Sequence, residues 1–126
     1  MTRTAINPWP WSVGFGFNQA ELVEGPTRWL VCSGQTSIGP DGSVQHAGDM
    51  AAQVDAALSN LEAVLADADM ALDDVVRITA YVTDMDAFLA AGLGGERRPL
   101  SAFTLIGVSR LAYPELLVEL EAIAAR

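Results

Sequence analysis

Hydrophobic positions recur with two different periods along this chain, and the change of period separates strands from helices. Phe15-Gly-Phe-Asn-Gln-Ala-Glu-Leu-Val reads as a strand, ended by the turn Glu24-Gly25-Pro26. Arg28-Trp-Leu-Val-Cys-Ser is a short apolar run closed by Gly34, and it reads as the next strand and as the hairpin partner of the first. Pro40 and Gly42 set a tight turn within Ile38–Val44. From Asp49 the period becomes helical: Met50, Val54, Ala57, Leu58, Leu61, Val64 and Leu65 share one face, and Asp49 is suited to cap its start. Val75–Thr83 reads as a strand, Asp84–Leu93 as a second helix stopped by Gly92, Gly94 and Gly95, and Phe103–Val108 and Leu116–Ala124 as the last two strands. The first fourteen residues, with Pro8, Pro10, Trp9 and Trp11, lack either period and are expected as an extended arm. The order predicts an α+β fold with helices on one face of a sheet.

Composition narrows what such a fold does. At 126 residues and 13.3 kDa the chain fits one domain, 1–126. Seven basic against sixteen acidic residues give a net charge of −9, so nucleic acid and anionic membrane are not expected partners. A hydrophobic share of 51% is high for so small a domain and predicts that subunits associate. Cys32 has no second cysteine to pair with, and with His46 as the one histidine no metal site of Cys and His is expected. With neither a leader-like apolar core nor a long apolar run, the chain is expected to be cytoplasmic.

Three features combine into a pattern: Ser33-Gly34-Gln35 after a strand, Ala51-Ala52-Gln53 opening a long helix, and Glu119-Leu-Glu-Ala-Ile-Ala near the end. From about Gly16 onward the sequence resembles the Rid family, the reactive intermediate deaminases. The resemblance implies a chorismate-mutase-like subunit, a homotrimer and small-molecule clefts between subunits. It also implies, for deaminating members, cofactor-free hydrolysis of 2-iminoacids to 2-ketoacids and ammonia. In those members an Arg on the fifth strand holds the substrate carboxylate and a Glu on the last strand serves water. Aligned through Val108-Ser109-Arg110-Leu111, the Arg position falls on Phe103, the Glu position on Glu119, and a cleft tyrosine on Phe17. Ser33, Gly34 and Gln35 complete the cleft that the resemblance implies.

Imine hydrolysis needs an aimed water, a proton path and a substrate anchor. Strand alternation puts Glu119 and Glu121 on one side, where they serve either a cleft or a solvated face. Phe103 removes the bidentate anchor that an Arg gives a carboxylate. As part of a cleft it favours a neutral or aromatic ligand, and otherwise it is core packing. Arg97 and Arg98 are the cations near enough in sequence to replace the missing Arg. Ser33 lacks the His and Asp of a triad. Cys32 is expected to be an inert buried thiol and His46 a surface residue, while Trp9 and Trp11 either pack in the arm or cover a neighbouring cleft. Two functions stand: a Rid-type hydrolase of imines, enamines or related metabolites through Glu119, and a module that binds a small ligand or a protein without turnover.

Overall fold

The computed structural model describes residues 1–97 and 100–126. Strand β1 (Thr2–Ile6) and the single-turn helix α1 (Trp11–Gly14) precede β2 (Ala20–Glu24) and β3 (Trp29–Gln35). Helix α2 (Met50–Asp67), β4 (Val75–Val82), α3 (Met85–Ala91), β5 (Ala102–Gly107) and β6 (Val118–Ala125) follow. The main sheet has the order β3-β6-β4-β5, with β4 and β5 parallel and the other pairs antiparallel. The expected α+β architecture, helices on one face, is the one observed.

α2 starts where Asp49 was expected to cap it, and α3 begins after a cap of the same kind, Asp84. The Asp49 carboxylate accepts from the Ala52 N–H at 3.1 Å and the Asp84 carboxylate from the Ala87 N–H at 3.0 Å, each satisfying a donor that the first turn leaves unpaired. The apolar stripe of α2 buries Val54, Ala57, Leu58, Leu61 and Leu65 against Ile78, Ala80, Leu120, Ala122 and Ala124 of the sheet. Gln53 is buried within this layer with every polar group engaged. Its amide donates to the His46 and Glu115 carbonyls at 3.1 and 2.9 Å and its oxygen accepts from the Leu117 N–H at 2.8 Å, so it ties α2 to the loops at one end of the sheet.

Two expectations for the N-terminal third are corrected. The first fourteen residues, expected as an extended arm, hold a paired strand and a helical turn: β1 pairs antiparallel with β2 from Thr2 opposite Glu24 to Ile6 opposite Ala20, and Trp11–Gly14 is α1. Most of β1 is exposed, so its formation required no apolar alternation in the sequence. The hairpin expected between β2 and β3 does not form either. Gly25, at φ 70°, and Pro26 redirect the chain, and the Thr27 and Arg28 N–H groups bond the Arg126 carbonyl, which commits β3 to β6. The β1–β2 ribbon instead reaches the other end of the main sheet. Asn18 bridges Ala102 at the β5 edge, and the Arg3 guanidinium donates to the carbonyls of Asp73, Val75 and Leu100 at 2.6, 2.7 and 3.2 Å.

Candidate functional site

Strand β3 runs through Gly34 rather than stopping at it. Between Cys32, opposite Ala122, and Gln35, opposite Leu120, β3 advances three residues while β6 advances two, a one-residue bulge at Ser33-Gly34. The Glu119 side chain lies across this bulge. A Cβ at Gly34 would meet Glu119 Oε1 at 2.0 Å and Cδ at 2.6 Å, so the glycine is required for close approach and not for a turn. Glu119 stands directly opposite Tyr81 on β4, and Glu121 opposite Thr79. The Tyr81 hydroxyl donates to Glu121 Oε1 at 2.6 Å; this bond, together with desolvation and the charges of both glutamates, pushes the Tyr81 pKa above the usual phenol value. The face that α2 does not cover thus gathers Ser33, Gly34, Glu119, Glu121 and Tyr81. A hollow of about 160 Å3 beside them is lined by residues including Val31, Arg77, Thr79 and Glu121.

A second cluster forms on the opposite face. Phe103 stands opposite Ile78, which stands opposite Ala122, and both of these are buried toward the helices. Its ring tilts at 56° to that of Phe17 with centroids 6.1 Å apart, and Trp11 meets Phe17 edge-on at 5.8 Å. With Phe15 and the α3 residues Phe88, Leu89 and Ala91, the rings of Phe17 and Phe103 border a cavity of about 510 Å3. α1 and the following segment hold Phe15 and Phe17 there through a polar lock: Asn18 donates to Glu21 at 3.0 Å, and its oxygen accepts from Asn7 at 2.9 Å. The Asn18 N–H bonds the Ser101 carbonyl at 2.9 Å.

The six residues expected in one cleft therefore divide. Ser33, Gly34 and Glu119 come together at the bulge, while Phe17 and Phe103 come together across the sheet. Gln35 touches the first group only through its amide, which donates to the Ser33 carbonyl at 3.3 Å. It stands opposite the buried Leu120 and lines a hollow beside Asn60 of α2. Arg97, one of the two cations near Phe103 in sequence, is engaged elsewhere: its guanidinium pairs with Asp55 and Glu62, two turns apart on α2, and donates to Ser59 Oγ at 3.2 Å. Arg98 lies outside the described residues. Trp11 belongs to the aromatic cluster, and Trp9 is exposed. Cys32 is buried, which raises its thiol pKa, and His46 is on the surface. Tyr81 was not singled out in the sequence; alternation along β4 puts it on one side with Thr79, and the register places it opposite Glu119. Among the described residues no three His, Cys, Asp or Glu side chains group as metal ligands.

Comparison with known proteins agrees with this architecture. The profile of the family described as endoribonuclease L-PSP matches residues 16–126. A RutC family protein of Pyrococcus horikoshii is 36% identical over 102 residues, which are 77% of this chain and 79% of that protein. The crystal structure of YyfB from Yersinia pestis, a Rid family protein described as of unknown function, superposes with a TM-score of 0.90 at 37% identity over the whole of both chains. The YjgF gene product of E. coli superposes with a TM-score of 0.68 at 28% identity, over 97% of this chain and 91% of that one. Fold, profile and relatives agree that the chain belongs to the Rid proteins of the endoribonuclease L-PSP family.

Proposed function

We propose that the protein is a cytoplasmic homotrimer whose intersubunit clefts take a small imine, enamine or related metabolite, with Glu119 aiming water. The observation that carries this reading is the placement of Glu119 over Gly34, where a backbone without a Cβ lets a carboxylate lie flat at a strand bulge. The exposed face of β3 supports association, because Trp29 and Val31 are 55% and 75% exposed beside the Glu119 cluster. Closing a trimer would bring the Glu119 face of one subunit toward the Phe17–Phe103 edge of the next, which a single chain keeps on opposite sides of its sheet. The net charge of −9 opposes binding of a polyanion, so ribonuclease activity, which the family's description names, is not part of this proposal.

In the chemistry proposed, water oxygen bonds to the imine carbon while Glu119 takes a water proton, the C=N electron pair moves to nitrogen, and Glu119 returns that proton to the nitrogen, after which it carries the carbinolamine hydroxyl proton to the leaving amine in the same way. The carbinolamine then releases ammonia as the C–N bond breaks and the carbonyl forms. All seven basic residues are arginine, so no lysine of this chain competes with water for that carbon. Phe103 provides no bidentate partner for a carboxylate, and hydrolysis of small 2-iminoacids is expected to be weak. Phe103 also favours the second reading, a cleft that binds without turnover.

The test is iminoacid hydrolysis coupled to an amino-acid oxidase, run on the natural chain, Phe103→Arg, Glu119→Gln and Glu121→Gln. Phe103→Arg is expected to raise 2-iminoacid turnover and Glu119→Gln to abolish any turnover. Glu121→Gln, whose oxygen still accepts from Tyr81, serves as the control. A loss with Glu121→Gln equal to that with Glu119→Gln would return Glu119 to the role of a solvated strand residue.

A further inference from the structure

The hollow on the uncovered face of the sheet holds two opposite charges that do not meet. Arg77 and Glu121 both line it, yet among the described residues Arg77 forms no ion pair. Each charge is tethered by a hydroxyl instead. The Arg77 guanidinium donates to Thr104 Oγ1 at 3.0 Å, and Glu121 Oε1 accepts from the Tyr81 hydroxyl at 2.6 Å. These tethers leave Arg77 Nε and Nη1 and Glu121 Oε2 without a hydrogen-bond partner among the described residues. Thr104 stands opposite Thr79 on β4, which stands opposite Glu121 on β6. The guanidinium is thus drawn to one end of a row of three strands, and Glu121 is rooted at the other. Two strand spacings of about 4.8 Å separate the ends, and a charge-assisted hydrogen bond of about 2.8 Å at each leaves about 4 Å for a guest's own ionic atoms. That is the span of a short amino acid. An anion on Arg77 alone would face Glu121 and a chain of net charge −9, and a cation on Glu121 alone would face Arg77. A zwitterion meets both and adds no net charge. The volume of about 160 Å3 equals about five waters at their share of liquid volume, which limits the guest to a few heavy atoms. Val31, Ala122 and Ile123 supply an apolar wall suited to a short aliphatic side chain.

We infer that this hollow binds a small zwitterionic amino acid, its carboxylate on Arg77 and its ammonium on Glu121. The inference goes beyond the imine chemistry proposed above and needs neither Glu119 nor turnover. Tyr81 and Thr104 are positioning residues: without them the two charges attract to contact and close the gap that the guest occupies.

L-Alanine is compared with alaninamide, which lacks the carboxylate, and N-acetylalanine, which lacks the ammonium, by calorimetry and saturation-transfer NMR on the full chain. Alanine is expected to bind about tenfold or more tightly than either, since each comparator gives up one charge-assisted contact. Arg77→Gln, at an exposed position, is expected to remove the advantage over alaninamide. Glu121→Gln, whose oxygen still accepts from Tyr81, is expected to remove the advantage over N-acetylalanine. Tyr81→Phe takes away no group that touches the guest, yet it is expected to weaken alanine about tenfold by freeing Glu121 to close on Arg77. Equal binding of the three probes overturns the inference, as does alanine binding that survives both Arg77→Gln and Glu121→Gln. So does an absence of alanine binding; dissociation of the oligomer by Arg77→Gln would then assign the two charges to a neighbouring copy of the chain. Alanine binding without imine hydrolysis upholds the hollow and overturns the hydrolase reading, and hydrolysis without alanine binding does the reverse.

Discussion

At the residue scale the sheet is written around one absent atom. Because the obstacle to a Cβ at Gly34 is the flexible end of Glu119 and not backbone, Gly34→Ala is expected to cost less than about 1 kcal/mol of stability while turning the carboxylate out of place. Any Glu119-dependent activity should then fall on the order of a hundredfold, the scale of a misplaced general base. Thermal unfolding and the coupled assay on the same preparation check this, and a large drop in melting temperature would mean that the bulge itself depends on glycine. Tyr81 supplies a second reading of the same face. Its bond to Glu121 favours the neutral phenol and raises its pKa in the folded state. The stability it contributes is complete below about pH 10, the unfolded value, and is lost as pH rises through the higher folded value. In a Tyr113→Phe background, the phenolate absorbance of Tyr81 should rise at higher pH in the folded than in the unfolded chain. Glu121→Leu should lower that midpoint.

At the scale of elements, the strands and helices whose apolar positions face the core were legible in sequence, and the ribbon that avoids the core was not. α2 carried both its period and its cap, Asp49, and α3 carried its stop at Gly92, Gly94 and Gly95. β1 carried neither, because its place is fixed by the Arg3 guanidinium reaching carbonyls seventy or more positions away, a relation no local pattern encodes. The Glu21 carboxylate beside Arg3 is 6% exposed, so Arg3→Ala would leave it short of its cation and strip the three carbonyls of a shared donor. A loss of about 2–4 kcal/mol is expected, with faster amide exchange confined first to β1 and β2. Uniform exchange across the whole chain would show instead that the ribbon and sheet unfold together. The β2–β3 hairpin was misread for a related reason: adjacency in sequence favoured it, yet the N–H groups after Pro26 are taken by the Arg126 carbonyl at the end of β6.

At the scale of the whole molecule, the fold was legible through motifs scattered over the chain, whereas the site was legible only as a set of residues without its geometry. Strand alternation tells which side of its own strand a residue occupies, but not how the sides of β5 and β6 relate across the intervening β4. The register supplies that relation, with Phe103 and Glu119 on opposite faces. For the trimer proposed, light scattering at micromolar concentration should give three times the 13.3 kDa chain mass. Charged replacements of Trp29 and Val31 together should reduce it to the monomer.

The opposition of those two faces has a genetic consequence. If each cleft takes its carboxylate from one subunit and its aromatic wall from the next, a Glu119→Gln chain and a chain whose aromatic cavity is filled by bulky replacements in its lining, such as Leu89→Trp with Ala91→Trp, are defective in different halves. Unfolded together at equal amounts and refolded, they would assemble mixed rings in which one cleft of each ring receives both sound halves. Random mixing would restore about a quarter of the clefts, although neither parent has any. Two inactive alleles in one cell would then complement, and an excess of either would poison the other. A protein whose site lay within one chain would do neither.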